Sequence, residues 1–167
     1  PSIENVVISF YGIYFQPGNY PPSRYQSSFD SSVINHALPV DQYDLWQKTF
    51  YLGLDAAIKR LIQSGKRVTL MMDIPEIPFS PRDCVRNSLK RCEVSREQAQ
   101  KRSQNARGMI AQLQKSNPGL VVYDPLDFIC PQNVCAYQQG DVILYRDTHH
   151  LSLEGSNALI QHWLTTR

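Results

Sequence analysis

Asp147, His149 and His150 fall within four consecutive positions of the stretch "LYRDTHHLSLEG", residues 144 to 155. An aspartate three residues ahead of a histidine, in a turn, can reach the near ring nitrogen of that histidine. The carboxylate then fixes the tautomer and stabilises the imidazolium, while the far nitrogen works as a base. This is the orienter-and-base half of a nucleophilic triad. A second use of the same residues is metal ligation by Asp147, His149 and His150. Against it, adjacent histidine side chains are expected to diverge, and no H-x-x-x-H or further carboxylate cluster completes a site. A third use is structural: Asp147 or Ser152 caps the helix that follows, with the histidines in solvent. The spacing alone leaves capping, relay and metal open.

A relay needs something to activate, and the serines do not supply it readily. Ser9 lies inside an apolar strand, as a packed residue, and Ser152, two positions past His150, is placed for helix capping. The four cysteines form two local groups, Cys84 with Cys92 and Cys130 with Cys135. Four cysteines allow three pairings, and sequence does not choose among them. Both groups lie in Pro- and Asn-containing loops that a short covalent link would fix. Their spacings are wider than the compact C-x-x-C pairs of zinc sites. Disulfides are the expectation, with free thiols and a metal as alternatives, and disulfides imply an oxidising compartment.

The elements that must position these residues follow from the patterning. At 167 residues, 42% apolar and 19% charged, the chain has the size and composition of one globular domain with a sizeable core. Its net charge of +2 comes from scattered signs and makes no case for nucleic acid or an anionic membrane. No apolar run approaches the roughly 18 residues of a membrane span. "NVVISF" (5 to 10) reads as a buried strand, and an aromatic, Gly/Pro/Ser-rich stretch runs from 11 to 40. From Asp41, as N-cap, an apolar stripe at three- and four-residue spacing predicts a helix that Gly65 ends. "RVTLMMDIP" (67 to 75) is a second strand, followed by a proline-bearing loop to 94. Ser95 with Gln98 forms a capping-box pattern that opens a helix ending at "NPG". "LVVYDP" (120 to 125) is a third strand, "DVILYRD" an edge-like fourth, and a last helix runs from about Leu153 to Thr165 with Leu159, Ile160, Trp163 and Leu164 inward. This alternation predicts an α/β fold, a three-layer α/β/α sandwich with a mainly parallel sheet. Ligands of such sheets bind beyond the carboxyl ends of the strands, which is where the loops after Phe10, Asp73 and Tyr123 should meet.

The block "LYRDTHHLSLEGSNAL" contains D-x-x-H-L-S, and three other segments accompany it in order: "VVISFYGIYF", "GKRVTLMMDIPEIPFSPRDC" and "VVYDPLDFICPQNVC". Together they resemble the SGNH domains fused to membrane acyltransferases of the acyltransferase-three family. In those domains the matching pieces are an early strand, a strand ending in a Pro-Glu turn with a cysteine after it, and a cysteine-containing loop before the Asp–His block. The resemblance is collinear and covers nearly the whole chain. It implies a flavodoxin-like SGNH fold, the relay role for Asp147 and His150, no catalytic role for His149, no metal and no cofactor. It also implies an O-acyltransferase that moves acyl groups, acetyl first among them, onto a cell-envelope polysaccharide or lipopolysaccharide. Its partners are then an acyl donor, a glycan acceptor and a membrane acyltransferase domain upstream in the same protein. Its place is the periplasmic side of a bacterial inner membrane.

The chain departs from the family at the nucleophile. The family's first strand ends in G-D-S, and no such string occurs here. The strand at 5 to 10 resembles the family's second one. Residues 1 to 167 are therefore expected to be a single SGNH-like domain truncated before its nucleophile, and inactive alone. Gly12 is the candidate oxyanion donor through its backbone N–H. No G-x-N-D string is present, and Asn19 and Asn35 carry no motif support. The alternatives in function are a non-catalytic carbohydrate-binding or partner-docking module of the same fold, a carbohydrate esterase, and a metal-dependent hydrolase built on Asp147, His149 and His150.

Overall fold

The computed structural model describes residues 3 to 10, 40 to 87 and 92 to 166. Gly12, Asn19, Asn35 and the aromatic loop lie outside them. The described chain forms two compact units, and each is described by itself. The first comprises residues up to Leu70 together with Asn105–Val122, and the second comprises Met71–Gln104 together with Tyr123 onward.

The first unit carries the main sheet. Strands β1 (Asn5–Ser9), β2 (Arg67–Met71) and β4 (Leu120–Tyr123) lie side by side in the order β1-β2-β4, as a parallel sheet. Val68, Leu70 and Leu120 are its buried residues, whereas β1, expected as a buried strand with Ser9 packed, has none: Val7 and Ser9 are exposed, as is Val121 in β4. Helix α1 (Val40–Gln63) links β1 to β2. It starts one residue earlier than expected, so Asp41 lies in its first turn and not at its cap. Its end is as the sequence predicts. Gly65 adopts φ +80°, its N–H donates to the Ile62 carbonyl at 2.9 Å, and the Lys66 N–H reaches the Leu61 carbonyl at 3.0 Å. These are the paired bonds of a glycine-terminated helix. Ile58 is buried, while Ala57, expected on the same face, is exposed. Asn117, buried, donates to Asp55 Oδ1 at 2.7 Å and to the Leu113 carbonyl at 2.8 Å. A hydrogen bond from Lys59 and then this one from Asn117 hold the Asp55 carboxyl below the usual range.

The second unit is built from short pieces around one core. Helix α2 (Pro81–Asn87) follows β2, inside a stretch the sequence reading treats as loop. The signal was present: Ser80 accepts the Asp83 N–H, and Pro81 takes the first helical position, where its missing N–H costs nothing. Strand β3 (Val94–Ser95) pairs antiparallel with β5 (Val134–Cys135). Ser95 and Gln98 form the expected capping box at the start of helix α3 (Arg96–Arg102). The helix predicted through to Asn117 breaks at Ser103, and α4 (Gln104–Ser116) resumes in the first unit. Ser103 Oγ donates to the Ala99 carbonyl at 3.0 Å and the Ser103 N–H is shared between the Ala99 and Gln100 carbonyls, the back-bonding that interrupts helices. After β4, Asp124 accepts the Leu126 N–H and opens the single turn α5 (Leu126–Ile129).

"DVILYRD" does not become a strand of the main sheet among the described residues. Only Val142–Ile143 (β7) is extended, paired antiparallel with Gln138–Gln139 (β6) across a turn at Gly140, whose φ is +55°. The last helix, α6 (Leu153–Thr165), has the predicted limits. Its inward residues are Gly155, Leu159 and Trp163, whereas Ile160 and Leu164 are exposed. Trp163 packs near Tyr123, and the Tyr123 hydroxyl meets His162 Nδ1 at 2.9 Å. The core of the unit gathers Ile77, Val94, Ala99, Leu126, Ile129, Leu144 and Tyr145 with Cys130 and Cys135. Cys84 is bonded to Cys92 and Cys130 to Cys135, the two local pairings. Each closes a short loop, worth about 2 to 3 kcal/mol in the chain-entropy account.

Candidate active site

The turn that carries Asp147 is fixed before any chemistry is considered. Leu144 and Tyr145 are fully buried, so the chain leaves the core immediately ahead of the acid. Tyr145 and Leu151 bridge across the turn, and the Arg146 N–H donates to the His150 carbonyl at 2.9 Å. The turn ends on a helix cap. Ser152 Oγ accepts the Gly155 N–H at 2.9 Å and donates to the Ile143 carbonyl at 2.6 Å. Ser152 therefore has the capping use expected of it and is committed on both sides. Gly155 is required there, because a Cβ on it would lie 2.1 Å from the Leu144 carbonyl oxygen.

Within this turn Asp147 and His150 are brought together. His150 Nδ1 is 2.9 Å from Asp147 Oδ2 and 3.0 Å from Oδ1. Oδ1 also accepts the backbone N–H groups of His149 at 3.0 Å and His150 at 2.9 Å. Capping and orienting are thus not rivals here, since one carboxylate does both. Burial pushes the Asp147 carboxyl up, but the hydrogen bonds from the His149 N–H, the His150 ring and the His150 N–H outweigh it and bring it down to about 2. An ionised carboxylate against Nδ1 keeps the proton there and leaves Nε2 with its lone pair. The His150 side chain is 53% exposed. The Arg146 guanidinium stands 3.4 Å from Asp147 Oδ2, near the limit of a useful hydrogen bond.

His149 sits differently. Its Nδ1 meets Thr148 Oγ1 at 3.0 Å and lies 3.7 Å from Asp147 Oδ1. Burial and then the neighbouring His150 push its pKa down. The expectation that the adjacent imidazoles diverge is not met: their centroids are 4.1 Å apart at an interplanar angle of 46°. One donor atom from each of Asp147, His149 and His150 lies within 4.8 Å of the others. A carboxylate with two imidazoles is a set that zinc accepts, so these are the residues among those described that could hold a metal ion.

Three residues with no part in the sequence reading of the site border this turn. The Tyr145 hydroxyl donates to the Pro75 carbonyl at 2.5 Å, and the Ile77 N–H donates to the Thr148 carbonyl at 2.9 Å. Between those anchors stands Glu76, its side chain 7% exposed, which takes an ion pair from Arg102 Nε at 3.0 Å. Nothing local in "DIPEIP" marks Glu76 as buried, and its partner lies 26 residues away on α3.

A family model described as the SGNH domain, fused to AT3 domains, matches residues 1 to 165. Comparison with curated proteins and with solved structures returned no match. The chain belongs to the SGNH domain family, of the kind fused to AT3 acyltransferase domains.

Proposed function

We propose that the Asp147–His150 pair is the orienter and base of a Ser-His-Asp acyl-transfer centre. The single observation that carries the reading is the carboxylate placed on His150 Nδ1, with the acid held ionised by the turn. On this reading a serine from a G-D-S block, which these 167 residues do not contain, attacks an acyl donor. His150 Nε2 takes the serine proton, and Asp147 steadies the imidazolium. Backbone N–H groups, with Gly12 as the candidate, take up the charge on the tetrahedral oxygen. The acyl-serine ester is then opened by a sugar hydroxyl, or by water, which receives the acyl group as His150 returns its proton. The intact protein is an O-acyltransferase that acylates a cell-envelope glycan from the periplasmic side of a bacterial inner membrane. Fusion to a membrane acyltransferase domain supports the membrane linkage, and two disulfides suit an oxidising compartment. The 167 residues form one domain of three-layer α/β/α type, as the family match over residues 1 to 165 supports.

The test uses the protein that includes the G-D-S serine. Incubation with an acetyl donor and an envelope oligosaccharide should yield O-acetylated sugar, read by mass spectrometry, and His150→Ala should abolish it. Acetate release without acetylated sugar would turn the reading to an esterase. Sugar binding with neither product would turn it to a carbohydrate-binding module. The clustering of Asp147, His149 and His150 favours a second reading, a metal-dependent hydrolase. Elemental analysis of the purified protein decides it: stoichiometric zinc supports that reading, and a metal-free protein with full activity removes it.

A further inference from the structure

We infer that Glu76, Arg102 and Tyr145 are positioning residues for the base, forming a clamp that holds the Asp147–His150 turn against the segment following β2. The inference rests on the relay reading for its functional meaning and on geometry for everything else. Residues 75 to 77 grip residues 145 to 148 at two points. One is the Tyr145 hydroxyl on the Pro75 carbonyl, the other the Ile77 N–H on the Thr148 carbonyl. Asp147 lies between the two gripped positions, on a stretch of backbone held at both ends. The middle of the grip is Glu76, which enters the protein as a nearly buried charge. A buried carboxylate is tolerated when a cation answers it, and Arg102 Nε does so at 3.0 Å from helix α3. Helix α3 is itself anchored at its start by the Ser95–Gln98 box and by Arg96, which donates to the Cys130 carbonyl at 2.5 Å. Arg102 thus fixes Glu76, Glu76 fixes the backbone of 75 to 77, and that backbone fixes the Asp147 turn.

A structural role alone would change stability, whereas a positioning role must change the imidazole of His150. The experiment is NMR on the full 167-residue chain, reading the ring nitrogen shifts of His150 and its Nδ1 proton bonded to Asp147. In the parent chain a single tautomer with a protected downfield Nδ1 proton is expected. Arg102→Met should lose that proton signal and show averaged ring nitrogens. The double variant Glu76→Gln with Arg102→Met removes both charges, so it should recover melting temperature without recovering the His150 signature. If the double variant recovers both together, the pair is structural only and the inference falls. Tyr145→Phe, which keeps the ring and removes one hydroxyl, provides a second route should Arg102→Met not fold. It should loosen the same signature, and an unchanged His150 in Tyr145→Phe likewise overturns the inference. None of these outcomes depends on acyl transfer, so they separate failure of the clamp from failure of the catalytic reading.

Discussion

Asp147 accepts hydrogen bonds from two backbone N–H groups and one imidazole, a larger share than a surface carboxylate usually obtains. The consequence is a pKa that falls from 3.8 to about 2. A carboxyl whose folded value lies below its unfolded value stabilises the fold when ionised, above the ordinary carboxylate range. That contribution is lost as pH falls through about 2. The expected outcome is that the parent chain loses stability between pH 4 and 2 more steeply than Asp147→Asn, measured by denaturant melts at several pH values. With the acid 38% exposed, solvent screens part of the effect, so its direction is the prediction. The sequence made Asp147 and His150 legible because their spacing is local and one turn suffices to join them. It could not reveal that His149 and His150 lie ring beside ring, since that depends on how Thr148 and the buried Tyr145 orient the turn.

At the scale of elements, the base turn is held from both sides by close packing. The contact between α6 and the chain leading into the turn has no room for a side chain at Gly155. Gly155→Ala must move either the helix start or the Leu144 carbonyl, and overpacking of this kind costs about 1 to 3 kcal/mol. The expected result is destabilisation toward the upper end of that range, with His150 displaced as well, read by melting and by His150 NMR shifts. Most long elements were legible: α1, α6 and the three strands of the main sheet follow from apolar period, the glycine after α1 and the serine before α6. The departures have local physical causes. Ser103 back-bonds and splits one predicted helix in two. Gly140 turns the "DVILYRD" region into a two-residue hairpin, and burial of Leu144 and Tyr145 in the core takes the remainder out of strand pairing except for one bridge. The clamp was not legible at all, because it joins residues 70 apart at Pro75 and Tyr145 and 26 apart at Glu76 and Arg102.

For the whole molecule, two disulfides and membership of an AT3-fused family bear on where and how the protein works. Among the described residues no helix is long and apolar enough to cross a membrane. The Cys130–Cys135 bond lies within the same core as Leu144 and Tyr145. Replacing both cysteines by serine should therefore lower stability by about 2 kcal/mol or more, seen as a lower denaturation midpoint, and reduction should lower the variant's midpoint further because Cys84–Cys92 is still bonded in it. The measurement that tests the central claim most directly is the aryl-acetate kcat/KM of the protein carrying the proposed G-D-S serine, with and without His150→Ala. Removing a triad base is expected to lower it by about a thousandfold or more. An unchanged kcat/KM in a folded His150→Ala variant would contradict the account.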